Sequence, residues 1–520
     1  MKKSKVFKIC IVLVAVGVAI YSCSDEALQD PKTDGVSDAT IYTSESTAIA
    51  TITGIYDAFQ GAYGGPDGIP AEYNTKAIQT LDRLTQDWKG NATDEEFRQF
   101  ELTPDNEISN KLWPVHYYGI GRANVALSNL QPAIDAGSIN EQLGSRLIGE
   151  ALVLRSIFYY YLTASMGGVP LILEPTTGDS DFFAPRNTED EVWNRLALDL
   201  EDAAERLPWS YDQEKGRVTK GTAYAMLGSV YMWLERYGDA INAFEQLEGH
   251  FSLEENFLDV HALANKNGKE SLFEIQFNDN GDLGWNRNEE KTFLQSFNMP
   301  SEINGGSYGG IPTEAFYNSF EMGDLRRDYT VIAPGEEHPD PLINISDYPN
   351  IQANYGGINT LGTKAEPWLG TDGSVGRTGY YAVKTWRNPV ISGWNGPNIF
   401  SGQNHIWLRY GEVLISLAEA YHKNGNDAMA MTTLMRIRNR AWGGMAPVPT
   451  GGDIMDNIFD EYRHELGGEF SLWLCLRRTG QASEYLADTF GITVPQGREL
   501  LPIPRIQIDI NPNLEQNPGY

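Results

Sequence analysis

The sequence predicts a mainly α-helical protein: tetratricopeptide-like helical hairpins form a scaffold, and a loop-rich variable region carries short strands. Three observations predict it. Apolar residues recur at helical spacing over long stretches at both ends of the chain, the pattern of helices that bury one face. Leu227-Gly228-x-x-Tyr231, followed by Tyr237, Ala240 and Phe244, has the spacing of a tetratricopeptide hairpin. Between about 250 and 405 the chain is rich in Gly, Asn, Asp, Pro and aromatic residues. Irregular stretches this long in a compact protein are usually functional.

The elements follow in order. Residues 44–60 place Ile49, Ile52, Ile55 and Phe59 on one helical face. Residues 111–131 repeat the pattern with Leu112, Val115, Tyr118, Ala123 and Leu127. A third helix, 143–166, carries Ile148, Leu152, Ile157 and Tyr160-Tyr161-Leu162, and Gly167-Gly168-Val169-Pro170 ends it. Residues 188–207 stop at Pro208, and 219–248 hold the diagnostic hairpin, where Gly228 and Ala240 allow close helix approach. In the variable region, Ser271 to Phe277 reads as a strand, and Tyr380 to Trp386 as another short helical or strand-like piece. Residues 406–424 and 426–441 form another hairpin about Gly425. Hairpins of this kind stack into a curved scaffold.

The N-terminus carries Lys2, Lys3, Lys5 and Lys8 before an apolar run from Ile9 to Ile20. That run is too short to span a bilayer and reads as the apolar region of a secretion signal. Ala19-Ile20-Tyr21-Ser22-Cys23 resembles a bacterial lipoprotein box, with Ile20 where Leu is commoner and a bulky Tyr21. An ordinary cleaved signal is the alternative. Ser24-Asp25-Glu26 resembles the acidic tag that routes some lipoproteins to the cell surface. The expected organisation is therefore a signal peptide at 1–22, a tether lipidated at Cys23 over 23–40, and one domain at 41–520. Within it the scaffold occupies about 41–249 and 406–520, and the ligand-facing region about 250–405. Acyl chains on Cys23 would hold a chain with no other membrane span at the outer membrane, facing the exterior.

Composition narrows the partners. Hydrophobic residues make up 41% of 520, enough for a substantial core. Removing the four signal-peptide lysines takes the formal charge from −30 to −34. This argues against nucleic acid, whose affinity rests on Lys and Arg neutralising phosphates, and favours neutral or cationic ligands. With Cys10 in the signal and Cys23 lipidated, Cys475 remains as a buried small hydrophobe. No intrachain disulfide or multi-cysteine zinc site follows.

Enzyme motifs mostly fail. There is no His-Glu-x-x-His and no Walker loop, and the seven histidines have no metal-ligand helical spacing. Gly305-Gly306-Ser307-Tyr308-Gly309 matches a nucleophile-elbow string, but Pro300, Gly310 and Pro312 deny it the strand and helix it needs. Asn278-Asp279-Asn280-Gly281-Asp282 has calcium-ligand character without a suitable bidentate Glu, so it reads as a solvated turn. Arg409, Glu412, Ser416 and Glu419 fall on one helical face and read as an ion-paired seam, with Arg436, Arg438 and Arg440 of the next helix as partners. No catalytic residue, metal site or cofactor is expected.

Aromatic residues in polar loops carry the stronger signal. Trp193, Trp233 and Trp473 lie on helical periodicity and read as core. Trp88, Trp285 in Gly284-Trp285-Asn286-Arg287, Trp368 and Trp394 sit among Gly, Asn and charged residues instead. Exposed rings there would stack on flat sugar faces while neighbouring polar groups take the hydroxyls. Each ring could alternatively be buried to anchor its loop. The expected ligand-binding set is Trp88, Trp285, Asn286, Arg287, Tyr308, Trp368 and Trp394.

Several segments resemble the SusD/RagB family of outer-membrane nutrient-binding lipoproteins, over essentially the whole mature chain. The most specific is the end, Leu500-Leu501-Pro502-Ile503-Pro504 and Asp509-Ile510-Asn511-Pro512-Asn513-Leu514-Glu515-Gln516-Asn517-Pro518-Gly519-Tyr520. Leu408-Arg409-Tyr410-Gly411-Glu412 through Ala418-Glu419-Ala420 resembles a second signature, with Gly411 where Ala is usual. Gly149-Glu150-Ala151 through Arg155, with Tyr159 through Leu171, resembles a third. Glu461-Tyr462-Arg463-His464-Glu465-Leu466 resembles a fourth, with Tyr462 in place of Arg. The resemblance implies a non-catalytic binder that captures an oligosaccharide, or in the RagB branch a peptide. It would deliver this to a SusC-like TonB-dependent outer-membrane barrel. A surface glycoside hydrolase is the alternative of another class. The family's ligand surface uses aromatics of the first inter-helix loop and the variable region, which here hold Trp88 and Trp285 to Trp394.

Overall fold

The structure, a computed structural model, describes residues 41–60, 81–90, 95–178, 182–278, 310–348, 351–353, 356–360, 362, 378–387, 401–449 and 451–520. Its first half is helical: α1 (Glu45–Gln60), short α2 (Leu81–Leu84) and α3 (Glu95–Arg98), then long α4 (Glu107–Asp135) and α5 (Glu141–Met166). α6 (Glu189–Arg206), α7 (Lys220–Trp233) and α8 (Tyr237–Glu245) follow. Side-chain caps set where these helices begin. The Asn106 carboxamide accepts from the Ile108 and Ser109 amides, which starts α4 four residues before its apolar periodicity does. Thr188 and Glu191 form a reciprocal capping box at α6. Leu207 then turns extended, as a residue before proline prefers.

The helices pack in a series. α4 lies on α5, α5 on α6, α6 on α7 and α7 on α8. The series continues through α8 onto α12 (Tyr410–Lys423) and then α13 (Asp427–Ala441), the hairpin about Gly425. α1 packs across α4 and α5, and α14 (Ile454–Glu465) packs on α12. Gly228 is required at the α7–α8 crossing, since a Cβ there would lie 2.4 Å from the Phe244 ring. One apolar cluster joins helices from both ends of the chain. Phe59 stacks on Phe158 at 4.1 Å and Trp193 on Trp233 at 5.0 Å. Trp193, Trp473 and Cys475 are buried in it. A fully buried Leu, Ile, Val, Phe or Met side chain in this cluster contributes about 1.5–3 kcal/mol by leaving water.

Between α8 and α12 lie α9 (Phe257–Val260), α10 (Glu314–Ser319), α11 (Arg326–Thr330) and paired short strands. β1 (Trp88–Lys89) pairs with β3 (Ile311–Pro312), β2 (Ser271–Ile275) with β6 (His405–Arg409), and β4 (Val331–Ile332) with β5 (Tyr381–Ala382), all antiparallel. Two small apolar clusters support this region. One is built on Trp386, Tyr348 and Ile345, the other on Trp88, Phe316, Phe320, Val331 and Ala382.

Two sequence expectations are corrected. Residues 405–409 are strand, and the helix read from 406 starts at Tyr410. The apolar run Ile406-Trp407-Leu408 suits either state, and pairing with β2 decides for the strand. The polar face of α12 also finds different partners. Glu419 accepts from Arg478 of α15 (Ser471–Arg478) at 2.6 and 2.7 Å, and Glu412 from Ser471 at 2.8 Å. Ser416 bonds the Tyr462 hydroxyl. Arg436, Arg438 and Arg440 instead reach Glu248, Glu461 and Glu270. They lie on the α13 flank, whereas the polar face of α12 is turned to α14 and α15.

Two further helices, α16 (Ala482–Phe490) and α17 (Arg505–Ile510), lead to the closing segment. That segment is tied back to the scaffold. Asn517 donates to the Met166 and Leu501 carbonyls, and Arg186 donates to the Asn517 side chain and the Glu515 carbonyl.

Candidate functional site

β1 is placed by charge. Asp87 is buried and accepts two hydrogen bonds from Arg463, at 2.6 and 2.8 Å. Its carbonyl accepts from Thr313, which carries the chain from β3 into α10. Trp88, next in line, packs on Phe316 at 5.4 Å between centroids. Its ring also covers Gly468, where a Cβ would come within 3.2 Å of it. Trp88 is only 5% exposed, so the expectation of an exposed stacking ring there is corrected. Gly468 and Phe316 of α10 together form a slot that the indole fills.

β1, β3, β5 and β4 stand side by side and form a platform. Thr378 donates to the Pro312 carbonyl at 2.7 Å, and the Val383 amide to the Thr330 carbonyl at 3.0 Å. Gly310, which follows the segment holding Trp285 and Tyr308, and Thr378, which follows the one holding Trp368, both belong to it. Trp285, Asn286, Arg287, Tyr308, Trp368, Trp394 and Cys23 lie outside the described residues.

Two tyrosines that sequence reasoning missed stand on this platform, both half-buried. Tyr317 and Tyr380 meet at 5.1 Å with planes 42° apart. The Tyr317 hydroxyl donates to Glu336 at 2.6 Å, and the Arg327 guanidinium lies 5.0 Å from its ring. Burial and then Glu336 push the Tyr317 hydroxyl pKa up, so it remains a donor. A clue was available for Tyr380, which follows a Gly-rich stretch as the loop tryptophans do; Tyr317 looks like any residue of a short helix.

Beneath the platform lies a buried ion network. Lys384, two residues past β5, donates to the Glu465 and Gly467 carbonyls at 2.9 and 3.0 Å and pairs with Glu469 at 2.5 Å. Arg409 bridges Glu270, Glu465 and Glu469, and Arg440 bridges Glu270 and Glu465. Arg326 joins Asp324, Glu461 and Glu465. Burial alone would raise the Glu465 pKa, but Arg440, Arg409 and Arg326 hold it well below the usual carboxylate range. The network locks α14, β6 and the platform together, because losing one partner strands a buried charge. A cavity of about 20 Å³ between Trp88, Gly310 and Lys384 has room for one water. Among the described residues no group of three or more His, Cys, Asp or Glu could hold a metal ion, and no helix is long and apolar enough to cross a membrane.

Comparison with known proteins gives a consistent result. Residues 41–232 match a SusD-like family model described as "Starch-binding associating with outer membrane", and residues 269–520 match the SusD family. The chain is 28% identical to SusD-like protein P2 of Formosa agariphila over 471 residues, covering 82% of this chain and 83% of that one. It is 25% identical to a SusD-like protein of Bacteroides ovatus, over 89% of this chain and 81% of the relative. Among solved structures it superposes on a laminarin-binding SusD-like protein with a TM-score of 0.72 at 24% identity, covering 92% of this chain and all of that one. Surface glycan-binding protein A of Bacteroides thetaiotaomicron, solved with laminarihexaose, gives 0.72 at 21% identity, covering 91% and 99%. With two family models spanning both scaffold halves and the same helical fold in these structures, the chain belongs to the SusD/RagB family.

Proposed function

We propose that this protein captures a glycan on the face above the β1–β3–β5–β4 platform and hands it to a SusC-like TonB-dependent transporter. It does so without catalysis, held at the outer membrane by lipid on Cys23. The observation that carries the reading is the platform itself. Chain ends next to the Trp285–Tyr308 and Trp368 segments meet on one rigid support beside the half-buried Tyr317–Tyr380 pair. Loops that carry binding residues are usually positioned in this way by a rigid scaffold. Family membership and the glycans bound by two structural neighbours support it. Glu412, pushed up to about 7 by burial and a neighbouring Glu469, is held by Ser471 against α15 and is a packing residue in this reading.

Calorimetry of the soluble mature protein against glycan and peptide panels tests the proposal. Glycan binding that weakens at least threefold in Tyr317→Ala/Tyr380→Ala supports it. Binding to peptides alone, or release of shorter sugars from the glycan, would refute it.

A further inference from the structure

Charge sets what the surface around the Tyr317–Tyr380 pair can accept. Both tyrosines are half-buried and keep part of their surface in solvent. Three carboxylates stand around them. Glu336 accepts from the Tyr317 hydroxyl at 2.6 Å and from the Ala333 amide at 2.7 Å. Glu314 is exposed on the first turn of α10. Burial and then Glu314 push the Tyr380 hydroxyl pKa up, which places that carboxylate beside it. Asp328 is the third, and it pairs with Arg327 at 2.7 Å. The same guanidinium lies over the Tyr317 ring, so one cation meets three carboxylates. Lys89 is farther off. It sits opposite Ile311 on β3, three residues from Glu314, and β3 separates its strand from β5. At strand dimensions either path is about 10 Å. Lys384 is buried and held by Glu469.

The segment that leads into β3 has the same bias: residues 279–309 hold five acidic side chains against Arg287 and Lys291. A chain of uronate or sulfated sugars would set a row of negative charges against this excess. Like charges brought together at an interface are a means of refusing the wrong partner. A chain without acidic groups meets no such repulsion, and its hydroxyls can donate to the lone pairs that the tyrosines leave free on the same carboxylates. We propose, on the glycan-face reading, that Glu314 and Glu336 are specificity-determining residues: they make that face refuse uronate-bearing and sulfated glycans and take chains without acidic groups.

Calorimetry of the soluble mature protein at low salt tests it. Laminarin, galactomannan and xyloglucan serve as chains without acidic groups, and polygalacturonate, alginate and dextran sulfate as acidic chains. The expected result is wild-type binding to at least one of the first three and to none of the acidic ones. In Glu314→Gln/Glu336→Gln each carboxamide oxygen can still accept from its tyrosine while the charge is gone. At least one acidic chain should then bind at least fivefold more tightly than the wild-type limit, and added salt should narrow that difference by screening. If the double variant melts lower than the wild type, Glu314→Gln alone serves, since that side chain is exposed, with at least a twofold gain expected. A wild type that binds an acidic chain as tightly as a neutral one overturns the charge filter and leaves glycan capture standing. Absence of any gain in the folded variants does the same. Binding of no chain of either kind overturns the glycan-face reading and the filter with it.

Discussion

At the residue scale, Trp88 separates what a tryptophan in a polar loop can do from what it does. Its neighbours Asp87 and Lys89 are charged and Gly90 and Asn91 follow, so the local sequence favours exposure. The burial comes from residues distant in the chain: Arg463 on Asp87, Phe316 on one side of the indole and Gly468 on another. No local pattern encodes those contacts. Trp88→Ala should therefore destabilise the protein by about 3–5 kcal/mol, the usual cost of emptying a large buried aromatic site. A thermal melt checks this, and an unchanged melting temperature would return Trp88 to the ligand face. Glu412 gives a second test. An unfolded Glu titrates near 4.3, whereas burial first, then Glu469, pushes Glu412 up to about 7 in the fold. Between those values the folded protein keeps a proton that the unfolded chain has lost, so stability falls as pH rises. Glu412→Gln cannot ionise and should melt higher than wild type at pH 8, with little difference at pH 5. Equal destabilisation at both values would contradict this account of Glu412 ionisation.

At the element scale, the helices were legible because their signals are local: periodicity, capping residues and terminating glycine or proline. The α7–α8 hairpin is the clearest case, since Gly228 stands where Phe244 must pass. Gly228→Ala would gain about 1 kcal/mol of helix propensity, yet it should lower the melting temperature because the new methyl meets that ring. Gly238→Ala is the contrast. Nothing lies within 4 Å of a Cβ there, so that change should be neutral or stabilising. A rise in melting temperature for Gly228→Ala would contradict the packing account. The strands were less legible. β1, β3, β4 and β5 are two residues long and exist through pairing with distant partners. β6 looked helical because the helix that follows it continues the same apolar run. Likewise the partners of Arg409 and Glu419 come from segments more than 50 residues away, which spacing along one helix could not disclose.

At the scale of the whole molecule, a stacked helical body supports a platform of short strands that an ion network holds in place. The closing segment was informative because Asn517, Gln516 and Tyr520 bond back to the scaffold near Met166, Ile503 and Leu500. Which loop aromatics meet a ligand was not legible, because aromatic composition marks a loop without saying which rings turn outward. In the proposed reading lipid on Cys23 is the anchor, so Cys23→Ala should release the protein from membranes. Continued fractionation of that variant with outer membrane in cells lacking the barrel partner would contradict it. The central claim is that a glycan is bound by the loop tryptophans Trp285, Trp368 and Trp394. The most direct measurement is calorimetric titration of the soluble protein with a glycan identified from a panel, repeated on double variants among Trp285→Ala, Trp368→Ala and Trp394→Ala. The account predicts wild-type binding in the range of about mM to μM and at least tenfold loss, about 1.4 kcal/mol, in the variants, with the melting temperature unchanged. Wild-type affinity in every folded variant, or loss of binding only where the fold is also lost, would contradict it.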